Sequence, residues 1–303
     1  MSYLSSHRKL LSLGIVQTTV DASKAWKEGA STPQMTAVQD EHVWTEIRKA
    51  FRAFRDGGEE PQILLFPELS IPRTRLAEFK HLVCSLNAIV IAGADYRLDH
   101  DAKTARNEGI VFIPNEFFTR KQSGYCSQIL FGKTYPAPKE RRDLLALTPP
   151  WEFCPDPTVY VFDCEAYGRV GVSICYDFMD VERALMYRGR IEHLFVLAYN
   201  RDLNMFRSLA DSLSRTVYCN VVVCNTGYFG GSLAVSPYYE AYRRTLYDHG
   251  GGGLFTTQVL QLPVSALAQA ARGIVTTELK SKRVQEFKNP PPGVPDDVHI
   301  AFI

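Results

Sequence analysis

The strongest constraint on this chain is a series of short, continuous apolar runs separated by amphipathic stretches. LLSLGIVQ (10–17), QILLF (62–66), AIVIAGA (88–94), GIVFI (109–113), VYVFD (159–163), RVGVSI (169–174), LFVLAY (194–199) and NVVVCN (220–225) each read as a strand. Most are apolar at successive positions rather than alternate ones, the pattern of a sheet covered on both faces. Between them, Val43, Ile47, Phe51 and Phe54 share one face of a helix over 41–56, and Phe206, Leu209, Leu213 and Val217 share one face over 203–218. Further helices fit 74–86 and 180–190. Alternation of this kind predicts an α/β fold with a core sheet under helices.

Three stretches break the pattern. Residues 21–40 lack periodicity and read as a surface insertion after the first strand. Residues 114–158 are proline-rich with few long apolar runs, and read as a long connection of the sort that is usually functional or disordered. The tail 280–303 contains NPPPGVP and reads as an extended arm. The glycine cluster HGGGGLF (249–255) lacks a following GKS/T, so it predicts a turn rather than a phosphate cradle. No repeat and no linker is visible, so residues 1–279 are expected to form one domain, followed by the arm.

Composition excludes several functions. The 34 Lys+Arg balance 33 Asp+Glu, which gives no electrostatic reason to expect nucleic acid or an anionic membrane as partner. No apolar run approaches membrane-spanning length, and the basic HRK before LLSLGIV leads into a stretch that reads as the first buried strand rather than a signal peptide. The seven histidines form neither HxH nor HExxH, so no metal site is expected. The seven cysteines, an odd number without a CxxC pair, point to a reducing, cytoplasmic setting. Most read as buried packing.

Candidate chemistry sits where buried strands end, the usual position of ligand-binding groups in open α/β sheets. Glu68 follows QILLFP, where Pro67 ends the ladder. Cys175 follows RVGVSI and precedes a helix-like segment, a setting that lowers a thiol's pKa toward a usable thiolate. Lys133 lies in the loop sequence FGKTYPAPKER, where Lys139 competes for the same cationic role. Singly, each has an ordinary explanation: a cap, a solvated charge, a packed thiol.

Together the three sit in a sequence that resembles the nitrilase, or carbon–nitrogen hydrolase, superfamily. The similarity runs through GIVQT (14–18), LLFPEL (64–69), NEGIVFIPN (107–115), GKTYP (132–136), GVSICYDF (171–178) and VVVCNTGYFGGS (221–232), roughly residues 10–265. The resemblance implies a four-layer α-β-β-α sandwich. It also implies Cys175 as nucleophile, Glu68 as general base, and Lys133 as oxyanion stabiliser, helped by the backbone N–H of Tyr176. Glu140, in KERRDL, resembles the second glutamate that supports the lysine, and Tyr135 fills the aromatic position of GKTYP. The chain departs from the family pattern after CYD, where FMDVE replaces the usual proline with Asp180. It departs again after LFVLAY, where Asn200, Arg201 and Asp202 fall near the pocket mouth.

The expected function is therefore thiol-dependent hydrolysis of a non-peptide carbon–nitrogen bond in a small amide or carbamoyl substrate, with water as co-substrate and no cofactor. Nitrile hydrolysis is the less expected chemistry. Alternatives are acyl transfer, a glutaminase-type ammonia donor, or a non-catalytic binding or assembly protein on the same scaffold. The resemblance also implies a homodimer or larger homo-oligomer.

Overall fold

A computed structural model describes residues 9–27, 29–58, 60–115, 117, 124–279 and 282–294. The first half runs β1 (Leu10–Gln17), α1 (Ala22–Ala25), α2 (Ala37–Asp56), β2 (Ile63–Ile71), α3 (Leu76–Leu86), β3 (Ile89–Asp99), β4 (Thr104–Pro114), β5 (Cys126–Gly132), α4 (Pro138–Leu145) and β6 (Glu152–Phe153). It continues with β7 (Val161–Asp163), β8 (Arg169–Ile174), α5 (Val181–Tyr187), β9 (His193–Ala198), α6 (Leu203–Leu213), β10 (Asn220–Asn225) and β11 (Leu233–Val235). Last come α7 (Ala241–Arg244), β12 (Thr245–Asp248), β13 (Thr256–Pro263), α8 (Ser265–Ala271), β14 (Thr276–Leu279) and β15 (Lys282–Gln285).

The strands form two main sheets. One has the order β13-β1-β2-β3-β4-β5, with β6 on β4; the other has the order β12-β11-β10-β9-β8-β7. In each, three neighbouring strands are parallel: β1, β2 and β3 in the first, β8, β9 and β10 in the second. Parallel neighbours need a crossover, and α2, α3, α5 and α6 supply it.

Register explains why both sheets read as continuous apolar runs. Pairing aligns Leu13 with Ile63 and Ile15 with Leu65, then Ile63 with Ile89 and Leu65 with Ile91, so these side chains share one face. They enter a core together with Val170, Val172 and Ile174 of the opposite sheet. The intervening residues Leu64, Phe66, Val90 and Ala92 pack on the other face, against Val43, Ile47, Phe51 and Phe54 of α2 and Phe79 and Val83 of α3. In the second sheet Tyr187 of α5 lies over Gly171, where a Cβ would come within 2.9 Å of its ring. Helix, sheet, sheet, helix is the resulting order: the four-layer sandwich expected from the sequence. Among the described residues, no helix is long and apolar enough to cross a membrane.

The structure adds detail to three expectations. Segment 21–40, expected as a surface insertion, is anchored on the sheet: Ala25 and Met35 are buried, the Trp26 indole donates to Asp95 Oδ1 at 3.0 Å, and the Met35 N–H donates to Asp95 Oδ2 at 2.8 Å. Its last residues are the start of α2, capped by Thr36. The connection 114–158 contains β5, α4 and β6, which the proline content hid. The helix over 203–218 ends at Leu213 and gives way to a wider turn at Ser214–Tyr218.

At the tail, β15 pairs with β14, and Phe287 stacks on Tyr238. The expected boundary at 279/280 thus separates two strands that pair with each other. Residues 280, 281 and 295–303 of the expected arm lie outside the described residues.

Candidate active site

Glu68 owes its position to a break in β2. Phe66 pairs with Ala92, but the next partners are Ile71 and Ala94, so the chain bulges between them. Pro67 offers no N–H to the ladder, and Leu69 takes a left-handed φ of 54°. The bulge rests on β3 at Gly93, where a Cβ would stand 2.4 Å from the Glu68 Cα. Glu68 is buried there at 2 % exposure.

Cys175 is the first residue beyond β8, with φ 47° at the start of a tight turn. Left-handed backbone costs a non-glycine residue about 1–3 kcal/mol, and such strain clusters at functional sites. The turn is locked to the loop carrying Lys133, because Asp177 accepts the N–H groups of Thr134 (2.9 Å) and Tyr135 (2.8 Å). Arg183 of α5 backs this joint, donating to Thr134 Oγ1 at 2.7 Å and lying 3.6 Å from Asp177. Lys133 itself follows β5, its N–H bonded to the Asn107 carbonyl at 2.9 Å.

The side chains of Glu68, Lys133, Glu140 and Cys175 meet at one point. Lys133 Nζ donates to Glu68 Oε1 at 2.8 Å and to Glu140 Oε2 at 2.6 Å. Asn107 Nδ2 bridges the same two carboxylates, at 2.8 Å to Glu68 Oε1 and 2.7 Å to Glu140 Oε1. Tyr96 donates its hydroxyl to Glu140 Oε1 at 3.0 Å, and the Tyr199 N–H donates to Glu68 Oε2 at 3.0 Å. Glu140 Oε2 also accepts the Ala137 N–H at 3.1 Å, in the first turn of α4. Cys175 lies beside this cluster, close enough for the Glu68 and Lys133 charges to act on its thiol.

Burial and charge set the protonation states. Burial alone would lower the Lys133 pKa, but Glu140 and Glu68 overcome it and hold the ammonium well above its ordinary value. For Glu140, burial raises and Lys133 lowers, and the net displacement is downward. The Cys175 thiol is pushed well up by burial and by the Glu68 charge, with Lys133 only partly opposing them. This corrects the expectation of a depressed thiol pKa: the left-handed turn after β8 buries the sulfur beside a carboxylate, and those effects prevail. A neutral thiol therefore lies beside the Glu68 carboxylate. Beside them, an ammonium keeps one of its three N–H groups without a protein acceptor among the described residues.

The remaining candidates lie farther out. Lys139 is exposed and pairs with Asp143 at 2.5 Å, so Lys133 alone of the two faces the cluster. Tyr135 is 46 % exposed, and Tyr176 is 36 % exposed. Asn200 folds onto its own loop, its amide bonding Asp202 through both Nδ2 and Oδ1 at 3.1 Å. Sequence reasoning passed over Asn107, Tyr96, Tyr199, Asp177 and Arg183. The available signal was a polar residue opening or closing an apolar run, as at Asn107 and Tyr199. Among the described residues, no group of three or more His, Cys, Asp or Glu is placed to hold a metal ion.

The sequence matches no protein-family model and no curated protein. Solved structures nevertheless share its fold. XC1258 from Xanthomonas campestris, a CN-hydrolase superfamily protein, aligns with a TM-score of 0.60 at 9% identity over 88% of this chain and 95% of its own. Nit3 from Saccharomyces cerevisiae, a nitrilase superfamily member, gives 0.59 at 16% identity over 88% and 94%. An amidase from Nesterenkonia sp. gives 0.57 at 13% identity over 84% and 90%. The chain has the fold of the carbon–nitrogen hydrolase superfamily.

Proposed function

We propose that this protein hydrolyses a non-peptide carbon–nitrogen bond in a small amide or carbamoyl compound through an acyl-enzyme on Cys175. The observation that carries the reading is the buried Glu68–Lys133–Glu140 hydrogen-bonded group gathered beside Cys175. Glu68 takes the thiol proton as sulfur attacks the carbonyl carbon, forming the S–C bond. Negative charge moves to the carbonyl oxygen, met by the third N–H of Lys133 and by the backbone N–H of Tyr176. Collapse breaks the C–N bond, and Glu68 returns its proton to the departing ammonia or amine. Glu68 then deprotonates water, which attacks the thioester; the acid leaves and Cys175 regains its proton. Glu140 stays ionised throughout and holds Lys133 in place.

The Nesterenkonia amidase lends support, since a variant of it carries the acetamide moiety of fluoroacetamide covalently at its active-site cysteine. Ammonia release from a panel of amides, ureido acids and nitriles tests the reading. Cys175→Ala should abolish turnover and Glu68→Gln should lower it by more than about 100-fold, within the range general-base catalysis supplies. Undiminished turnover in Cys175→Ala would sink it.

A further inference from the structure

Asp156 stands outside the cluster, yet it holds the backbone beneath Lys133 at three successive residues. Its Oδ2 accepts the Gly132 N–H at 3.0 Å, its own N–H donates to the Lys133 carbonyl at 3.0 Å, and its carbonyl accepts the Thr134 hydroxyl at 2.6 Å. Gly132 is fitted to this contact, since a Cβ there would collide with the Asp156 side chain. Asp156 is itself held: Oδ2 also accepts the Tyr160 hydroxyl at 2.9 Å, and Oδ1 accepts the Thr158 N–H at 3.1 Å. Just upstream, β6 pairs with β4, and the Cys154 N–H donates to the Ala105 carbonyl at 2.9 Å. β4 also carries Asn107, whose carbonyl takes the Lys133 N–H. Both sides of Lys133 are thus tied to one strand.

Burial alone would raise the Asp156 pKa, but the bonds from Thr158, Tyr160 and Gly132 prevail and hold it below the ordinary carboxylate value, so the acceptor is charged at neutral pH. The Lys133 side chain has little slack with which to absorb a movement of its backbone. It is 2 % exposed, and its Nζ is bonded at both 2.8 and 2.6 Å. In a close-packed interior such a stem passes a backbone shift to its end. The end matters to the sulfur, because the Lys133 charge opposes burial and the Glu68 charge at the Cys175 thiol.

We infer that Asp156 is a positioning residue: by clamping Gly132, Lys133 and Thr134 it sets where the Lys133 ammonium stands relative to Glu68, Glu140 and Cys175. The inference rests on the proposed function for what the ammonium does to substrate, but its test does not need turnover. Iodoacetamide labelling of Cys175 at pH 8, followed by mass spectrometry on the full chain, reads the ammonium through the thiol. Asp156→Ala should slow labelling about threefold, as when the thiol pKa rises by about half a unit. Removing a negative charge would by itself speed labelling, so the sign separates a moved lysine from a lost carboxylate. Asp156→Asn keeps an acceptor for the Gly132 N–H and should restore most of the rate. Thr134→Val, a milder change that removes the bond to the Asp156 carbonyl, should slow labelling in the same direction. On any amide the protein hydrolyses, kcat should fall about tenfold or more in Asp156→Ala with KM changed less. Labelling unmoved or faster in the folded Asp156→Ala and Thr134→Val proteins would overturn the inference, whatever their melting temperatures. Slower labelling in a protein whose wild type hydrolyses no amide would uphold the positioning and count against the reaction.

Discussion

The sharpest quantitative consequence of the fold lies at the far end of β9 from the cluster. His193 is fully buried, and burial lowers its pKa to about 4, from the ordinary histidine value of about 6.5. Both ring nitrogens are engaged, Nε2 with the Tyr167 carbonyl at 2.9 Å and Nδ1 with Asn220 Nδ2 at 3.1 Å. The first nitrogen must donate and the second accept, which describes the neutral ring. Between pH 6.5 and 4 the unfolded chain binds a proton there that the folded chain refuses, so stability falls as pH drops through this window. At pH 5 linkage makes the loss about 2 kcal/mol, and below pH 4 it levels off at about 3 kcal/mol. For a chain of this size, 2 kcal/mol lowers Tm by about 3 °C. Thermal melts of wild type and His193→Gln, taken from pH 7.5 to 4.5, isolate the effect, because every other titrating group is common to both. The variant should start lower and fall less steeply, by about 3 °C less between pH 7.5 and 5. Parallel curves would refute a neutral buried imidazole.

Two further predictions concern the cluster. Asn107→Leu keeps the volume but removes both donors to the carboxylates; kcat should fall about 100-fold, as expected for a misplaced base, with a lower Tm, and unchanged values of both would show that the bridge positions nothing. The thiol's raised pKa predicts that iodoacetamide labelling of Cys175, followed by mass spectrometry, keeps rising past pH 9; Glu68→Gln removes a charge that raises that pKa and should move the curve to lower pH, whereas a wild-type plateau near pH 7 would mean a preformed thiolate.

The layers were legible because burial on both faces leaves a signal at every position of a strand. β1, β8 and β10 begin and end where their apolar runs do. The same logic failed between 114 and 158. β5 shows exposed and half-buried positions from Ser127 to Leu130, and α4 buries only Leu144, so neither carries enough apolar residues to register as an element. Glu68, Lys133 and Cys175 were visible as breaks, a charge or thiol after an apolar run. Asn107 shows as a polar residue before an apolar run, but Tyr96 lies inside β3, and its role arises from pairing across the sheet, which sequence spacing does not encode. Trp26 was hidden differently: Asp95, some seventy residues away, holds its N–H, and nothing local to 21–40 announces that anchor.

The wrong sign for the thiol pKa has a consequence for how such a site works. A strand-to-turn cysteine invites the argument that peptide dipoles stabilise a thiolate, yet the Glu68 charge and full burial together outweigh Lys133 at the sulfur. The same lysine is pinned between two carboxylates, so much of its field is already answered before substrate arrives. On the proposed mechanism this arrangement is productive. A standing thiolate would be open to alkylation and oxidation at all times, whereas a neutral thiol beside its base ionises only when bond formation to carbon draws the charge onward to oxygen. Lys133 then meets that charge with the one N–H the carboxylates leave over. Proton transfer, attack and oxyanion stabilisation thus become mutually dependent, and the cost of burying two carboxylates with one ammonium is offset by a nucleophile that reacts only with a carbonyl in place.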